Sequence, residues 1–447
     1  HDLAQCVLVS KDWHFRLTPA LWSDPEFGEN NNPKWIAALY RHQDFVRSVL
    51  DSCISRAILM DLKMPSKRSW RLPNLQSIDL DFEEHDTVDT VMSAVLLIDK
   101  IPTLESLSMG FGFYGNDVHE LLISTLEMHP GLRKVHVSGA DDFHPLFIQE
   151  IIKACSRMCS LNLDFSREMT YTEKILDERV HQASAAAQLL LQMHDTHIRE
   201  LSIHFSCTYI ELSVVAPLLM RCPLLEKLKL AKICELYTLR LITKKLRTGS
   251  CPRLKDVEFG NFSAIDPSEE DIGEALLSMR HISDNDSNGD SDCGLETISF
   301  SPSLGFGLST LLALTRYHSK TLAHLRCDSS EALGELKNLT TLVMANASDF
   351  LMLKGKYGYL SGLAKLKKIK RLEILAWAPL LMSATEAKWM VENWPKLNSV
   401  VFGRFTCHLE NDMLRFCQRK KFLKSLVAKR PWMEIENREI IMCYEDY

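Results

Sequence analysis

Cys251-Pro252-Arg253-Leu254-Lys255-Asp256-Val257-Glu258-Phe259 carries the pattern on which the fold turns. A proline or polar lead-in is followed by an apolar residue, two free positions, an apolar residue, one free position and a last apolar residue. Upstream, Cys222-Pro223-Leu224-Leu225-Glu226-Lys227-Leu228-Lys229-Leu230 has the same form. Read outward from these two, the pattern occurs twelve times, with first residues Leu75, Leu104, Leu132, Met158, Ile198, Leu225, Leu254, Leu295, Leu322, Leu339, Leu372 and Leu397. The eleventh copy reads Leu372-Leu375-Trp377. Most steps between copies are 25 to 29 residues; steps of 40 and 41 contain insertions, and one of 17 is too short for a full helix.

This period implies a shape. In each copy the last two apolar residues are two apart, so both face one side of a short strand and the residue between them faces the other. Between copies, the segments Val88 to Ile98, Val118 to Met128, Phe147 to Cys155 and Leu212 to Met220 have apolar residues three and four apart, as an amphipathic helix does. A strand followed by a crossover helix, repeated, gives a parallel sheet in which every unit buries its apolar face against its neighbours. The expected fold class is α/β, a solenoid with parallel strands on a concave face and helices on a convex one.

The repeats and their Cys-Pro lead-ins resemble long leucine-rich repeats, over roughly residues 70 to 405. Residues between the strand's apolar pair are expected on the concave face: Asp79, Ser108, His136, Asn162, Ser202, Lys229, Glu258, Ser299, Arg326, Val343, Ala376 and Val401. Of these, His136, Asn162, Lys229, Glu258 and Arg326, with an apolar patch of Val343, Ala376 and Val401 beside a basic region, are the expected contacts for a protein substrate.

The opening is a different signal. Leu3, Cys6, Val9 and Trp13 fall on one helical stripe, and Pro19 is expected to end that helix before Leu21 and Trp22. A helix capping the exposed end of the solenoid is one reading. The word order L-x-x-C-x-x-V-S-K-x-W followed by P-x-L-W resembles the second half of an F-box. Together with the repeats, the chain is similar to the F-box and leucine-rich-repeat family. The resemblance implies the substrate receptor of an SCF-type cullin-RING ubiquitin ligase, in which Leu3, Cys6, Val9, Trp13, Pro19, Leu21 and Trp22 pack in the F-box or against a Skp-type adaptor. A repeat scaffold independent of any ligase is the alternative. His1 in place of an initiating Met points to a chain trimmed within the F-box. The expected organisation is thus a partial F-box over 1–24, a helical linker or N-terminal cap over 25–69, about 12 irregular repeats over 70–405, and a C-terminal cap over 406–447, where Arg415 to Arg430 reads as an amphipathic helix covering the last strand.

Composition narrows the classes further. The 447 residues carry a net charge of −6, with +7 over residues 340 to 447 and −13 before them, which gives no chain-wide attraction to nucleic acid or anionic lipid. The 13 cysteines are an odd number without a CxxC pair, the pattern of reduced thiols in an intracellular protein, cytoplasmic, nuclear or both. In that compartment the sequons at Asn261, Asn338 and Asn346 stay unglycosylated.

Three stretches invite chemistry. Gly110-Phe111-Gly112-Phe113-Tyr114-Gly115 spells GxGxxG after a strand, but three aromatics crowd a loop meant for a pyrophosphate, so a solenoid turn is the stronger reading. Asp284, Asp286, Asn288, Gly289 and Asp290 match half of a calcium loop, with Leu295 where the bidentate carboxylate belongs. His194 and His197 lack a nearby third ligand. No P-loop, GxSxG or HExxH is present. Neither a catalytic residue, a metal nor a cofactor is expected, and neither nucleic acid nor a membrane is expected as partner.

Overall fold

The computed structural model describes residues 10–25, 33–49, 58, 70–82, 88–110, 116–138, 145–165, 185, 187–205, 212–231, 251–259, 295–300, 314, 318, 321–327, 333, 336–344, 359–374, 383–402, 405–407, 412–437 and 440–442. They form two compact units, residues 1–225 and 226–447.

In the first unit, helices α1 (Lys11–Ser23) and α2 (Pro33–Arg41) precede strand β1 (Ser48–Val49). The chain then alternates: β2 (Ser77–Asp81), α3 (Val88–Asp99), β3 (Ser106–Gly110), α4 (Asn116–Glu127), β4 (Lys134–Ser138), α5 (Pro145–Ala154), β5 (Ser160–Phe165), β6 (Glu200–Phe205) and α6 (Leu212–Met220). Strands β1 to β6 lie in sequence order, and every pairing is parallel. The four helices anticipated from periodicity are α3 to α6.

The second unit holds β7 (Lys227–Ala231), β8 (Asp256–Phe259), β9 (Thr297–Phe300), β10 (His324–Cys327), β11 (Thr341–Met344) and β12 (Arg371–Ile374). Helix α7 (Ala384–Asn393), β13 (Ser399–Phe402), β14 (Phe405–Cys407), α8 (Asp412–Lys429), β15 (Glu434–Asn437) and β16 (Ile440–Met442) follow. Strands β7 to β13 and then β15 form its parallel sheet in order, while β14 pairs with β16 alone. In neither unit does the last strand pair with the first, so each sheet is open rather than a barrel. This is an α/β leucine-rich-repeat solenoid.

Register explains the pattern residue by residue. Ile78, Leu107, Val135, Leu161 and Leu201 are Cα partners in one row and all are buried. Leu228, Val257, Ile298, Leu325, Leu342, Leu372 and Val400 form the corresponding buried row of the second unit. Each such side chain contributes about 1.5–3 kcal/mol by leaving water.

In most copies the first apolar residue closes a tight turn, its N–H bonding the carbonyl three residues back. Leu75 bonds Leu72, Leu104 bonds Ile101, Leu132 bonds His129, Leu254 bonds Cys251 and Leu397 bonds Trp394, at 3.0 to 3.4 Å. Pro73, Pro102, Pro130, Pro252 and Pro395 occupy the second turn position, where a fixed φ is already correct. The proline of the lead-in is thereby a turn former, and the residue before it is a buried rung.

Two expectations change. Leu372 aligns with Leu342 and Val400, the middle position of the pattern, so the eleventh copy is Ile369-Leu372-Ile374 and not Leu372-Leu375-Trp377. Its turn, Leu366 to Ile369, has no proline. A further repeat follows at the C-terminus: Met433 bonds the Arg430 carbonyl across Pro431, and β15 extends the sheet past residue 405. Helix α8, with Phe422 and Leu426 buried and its flank packed on α7, therefore connects two strands instead of covering the last one.

The rung of the Leu132 copy is a histidine. His129 is 4% exposed, and its Nε2 has no hydrogen-bond partner among the described residues. Burial pushes its pKa below 6.5, a shift that Asp99 and the Ile98 backbone only partly oppose. The unfolded chain thus binds this proton at a higher pH than the folded one, and stability is lost as pH falls below about 6.5. His129→Gln should flatten the decline in urea midpoint between pH 7 and pH 5; an unaltered decline refutes the assignment to this residue.

Candidate protein-binding faces

Helix α1 begins at Ser10, whose Oγ accepts from the Trp13 N–H at 3.1 Å. Asp12 in the first turn pairs with Arg16 at 3.1 Å on the exposed side. Contrary to expectation, Pro19 does not end the helix, which runs on to Ser23. Proline removes only the bond to the Phe15 carbonyl, and Phe15 is 81% exposed, on the solvent side of the helix. Trp13 is 46% exposed, so it and Phe15 present two large aromatics to solvent on one helix. Pro19, Leu21 and Trp22 are half-buried, with Trp22 stacked on His42 at 4.7 Å between ring centroids. The Arg47 N–H bonds the Ser23 carbonyl at 2.8 Å, which ties the helix end to the start of β1. Leu3, Cys6 and Val9 lie outside the described residues. Phe15 escaped the sequence reading because it falls between the positions the F-box resemblance names.

On the first unit's open face, Asp79, Ser108, His136, Asn162 and Ser202 form one row in register, all half-buried. Ser108 Oγ lies 3.2 Å from His136 Nδ1. One row further along, His204 Nδ1 is 3.1 Å from Asp164 Oδ1. The Nε2 atoms of both histidines lack hydrogen-bond partners among the described residues. His136 and Asn162 thus stand together, as the strand pattern anticipates.

In the second unit the row is Lys229, Glu258, Ser299, Arg326, Val343, Glu373, Val401 and Glu436. Lys229 and Glu258 pair at 3.1 Å across neighbouring strands, a contact that sets sheet register and leaves less free charge for a partner. Arg326 holds its place on β10. Val343 is half-buried, and Ala376 lies outside the described residues. The corrected register puts Glu373 where Ala376 was expected.

Val401 is 0% exposed and offers a partner nothing. Arg371 on β12 pairs with Glu373 at 2.7 Å and reaches Glu436 on β15 at 3.8 Å. That link passes over β13, so Val401 and Ser399, 7% exposed, are covered by it. Of the anticipated apolar patch, Val401 thus lies under an ion-pair cluster.

No family model and no curated protein matches this chain. Among solved structures, a chain in the crystal structure of the Rad7 and Elc1 complex in yeast is similar, with 14% identity and a TM-score of 0.45 over 90% of this chain and 88% of that one. A Bacteroides fragilis protein from a structural-genomics effort shows 10% identity and a TM-score of 0.29 over 82% and 77%. The fold assignment rests on the strand register itself.

A cavity of about 510 Å³ in the first unit lies beside α5, with Cys155, Met158, Met193, His194, Asp195 and His197 in its lining. Its chemistry is muted. Asp195 pairs with Arg221 at 3.6 Å, and burial pushes the Cys155 thiol up to about 12, so sulfur stays protonated at neutral pH. Among the described residues no three His, Cys, Asp or Glu side chains are grouped to hold a metal. Phe111 to Gly115 and residues 284–294 lie outside the described residues, while Gly110 ends β3 in the sheet. No described helix is long and apolar enough to cross a membrane.

Proposed function

We propose that this chain is the substrate-recognition subunit of an SCF-type cullin-RING ubiquitin ligase. The F-box-like helix binds a Skp-type adaptor, and the repeat sheets bind a protein substrate. It acts by holding the substrate near the transfer machinery and contributes no catalytic residue of its own. The observation that carries this reading is the exposure of Trp13 on α1, at the position where the F-box resemblance expects an aromatic. A buried aromatic there would serve the fold; an exposed one is available for a partner.

A ligase-independent scaffold is favoured by a different observation. The Trp22 stack on His42 and the Arg47 to Ser23 bond dock α1 on the first strand, as a capping helix requires. The two readings part in one experiment. Affinity purification of the chain should recover adaptor and cullin together. Trp13→Ala should remove both while leaving the thermal melt in place. Recovery of neither partner favours the scaffold, and equal recovery from wild type and variant rules out Trp13 as the adaptor contact.

A further inference from the structure

We propose that the lead-in turns of β11, β12 and β13 form a ridge that takes an acidic segment of a protein partner. This deepens the receptor reading above and rests on it. The turns span residues 336–340, 363–370 and 394–398, and they contain six lysines and no Asp or Glu: Lys337, Lys365, Lys367, Lys368, Lys370 and Lys396. All six are exposed.

The turns are neighbours in space. The Lys370 N–H bonds the Thr340 carbonyl at 2.7 Å, and the Asn398 N–H bonds the Lys370 carbonyl at 2.9 Å. Buried Leu336, Leu339, Leu366, Ile369, Trp394 and Leu397 anchor them from beneath. Two lysines stitch the ridge: Lys367 Nζ donates to the Asn393 carbonyl at 3.0 Å, and Lys368 Nζ donates to Asn338 Oδ1. Both acceptors are neutral, so these bonds orient the ammonium groups without cancelling their charge. By contrast, on the lead-ins of β8 and β9 Lys255 pairs with Glu296 at 3.0 Å.

Strands stand about 4.8 Å apart, which crowds like charges on adjoining turns. An acidic chain relieves that repulsion and gains a rim already ordered by packing. The chemistry favours carboxylates over nucleic acid. The ridge has no exposed aromatic for stacking bases, since Trp394 is buried.

Fluorescence anisotropy with fluorescein-labelled decaglutamate, at low and physiological salt, tests this directly. Saturable binding should weaken as salt rises. The triple variant Lys337→Glu, Lys370→Glu, Lys396→Glu should weaken it at least about tenfold. A control triple in the first unit, Lys100→Glu, Lys134→Glu, Lys153→Glu, should leave binding within about twofold of wild type. If circular dichroism shows the Glu triple unfolded, the corresponding Gln triple is read in its place, with weaker binding still expected. Absence of saturable binding, indifference to the ridge variants, or tighter binding of labelled decauridylate overturns the proposal. Adaptor recovery measured in parallel keeps the two ideas distinct: a failed ridge leaves that recovery intact, and a failed adaptor test leaves peptide binding intact.

Discussion

Trp394→Ala should lower stability by about 4 kcal/mol, seen as a large drop in denaturant midpoint for the second unit. Trp394 is 0% exposed and occupies the buried rung that precedes a turn proline. Its Nε1 donates to the Leu363 carbonyl at 3.1 Å, and Trp389 meets its ring edge-on at 5.5 Å between centroids. Truncation removes the packing, opens a cavity and leaves that carbonyl unpaired in an apolar setting. Trp432 is the natural control, because it is 64% exposed. Trp432→Ala should cost under about 0.5 kcal/mol. Similar losses for the two tryptophans would refute the placement of the rung.

Arg430→Ala should cost about 3 kcal/mol, an unusual penalty for removing a cation. Arg430 takes the rung position of the final turn and is only 7% exposed. Its guanidinium donates to the carbonyls of Trp394 at 3.0 Å, Leu397 at 2.7 Å and Val391 at 2.6 Å. These oxygens belong to the C-terminal end of α7 and the turn after it, where helix carbonyls lack partners of their own. Burial lowers the guanidinium pKa, yet arginine stays charged at any pH the protein meets. Arg430→Lys should recover under half of the loss, because one ammonium cannot span three carbonyls as the fork does. Full rescue by Lys would show that charge alone matters there.

These residues also mark where the fold was legible in the amino acids and where it was not. Strand alternation and proline turns gave away β2 to β4, since both signals coincide at Leu72-Pro73, Ile101-Pro102 and His129-Pro130. The register slipped by three at Leu372 because the true turn, Leu366 to Ile369, substitutes two lysines for the proline signal, while Leu375 and Trp377 imitate the pattern. The last repeat kept its proline but placed Arg430 on a rung, and a cation reads as surface until its three carbonyls are seen. Sequence patterns report which way a side chain points and are silent about what lies over it.

The binding faces follow the same logic. His136 and Asn162 were legible because strand alternation alone places them. Val401 was not, because its burial depends on Arg371 and Glu436 meeting across β13, a contact between repeats far apart in the chain. Pro19 misled in the opposite direction, its cost in α1 being confined to one carbonyl of an exposed residue. The lysine ridge was visible as a charge run, but its three turns become one surface only through the backbone bonds that stack them.

Whether α1 grips a ligase adaptor is decided most directly by calorimetric titration of a purified Skp-type adaptor into the chain. Saturable one-to-one binding is expected, weakened about thirtyfold by Trp13→Ala, as loss of a central aromatic contact of about 2 kcal/mol requires. No measurable binding by the chain, or equal affinity with and without the Trp13 side chain, would contradict the role assigned to this helix.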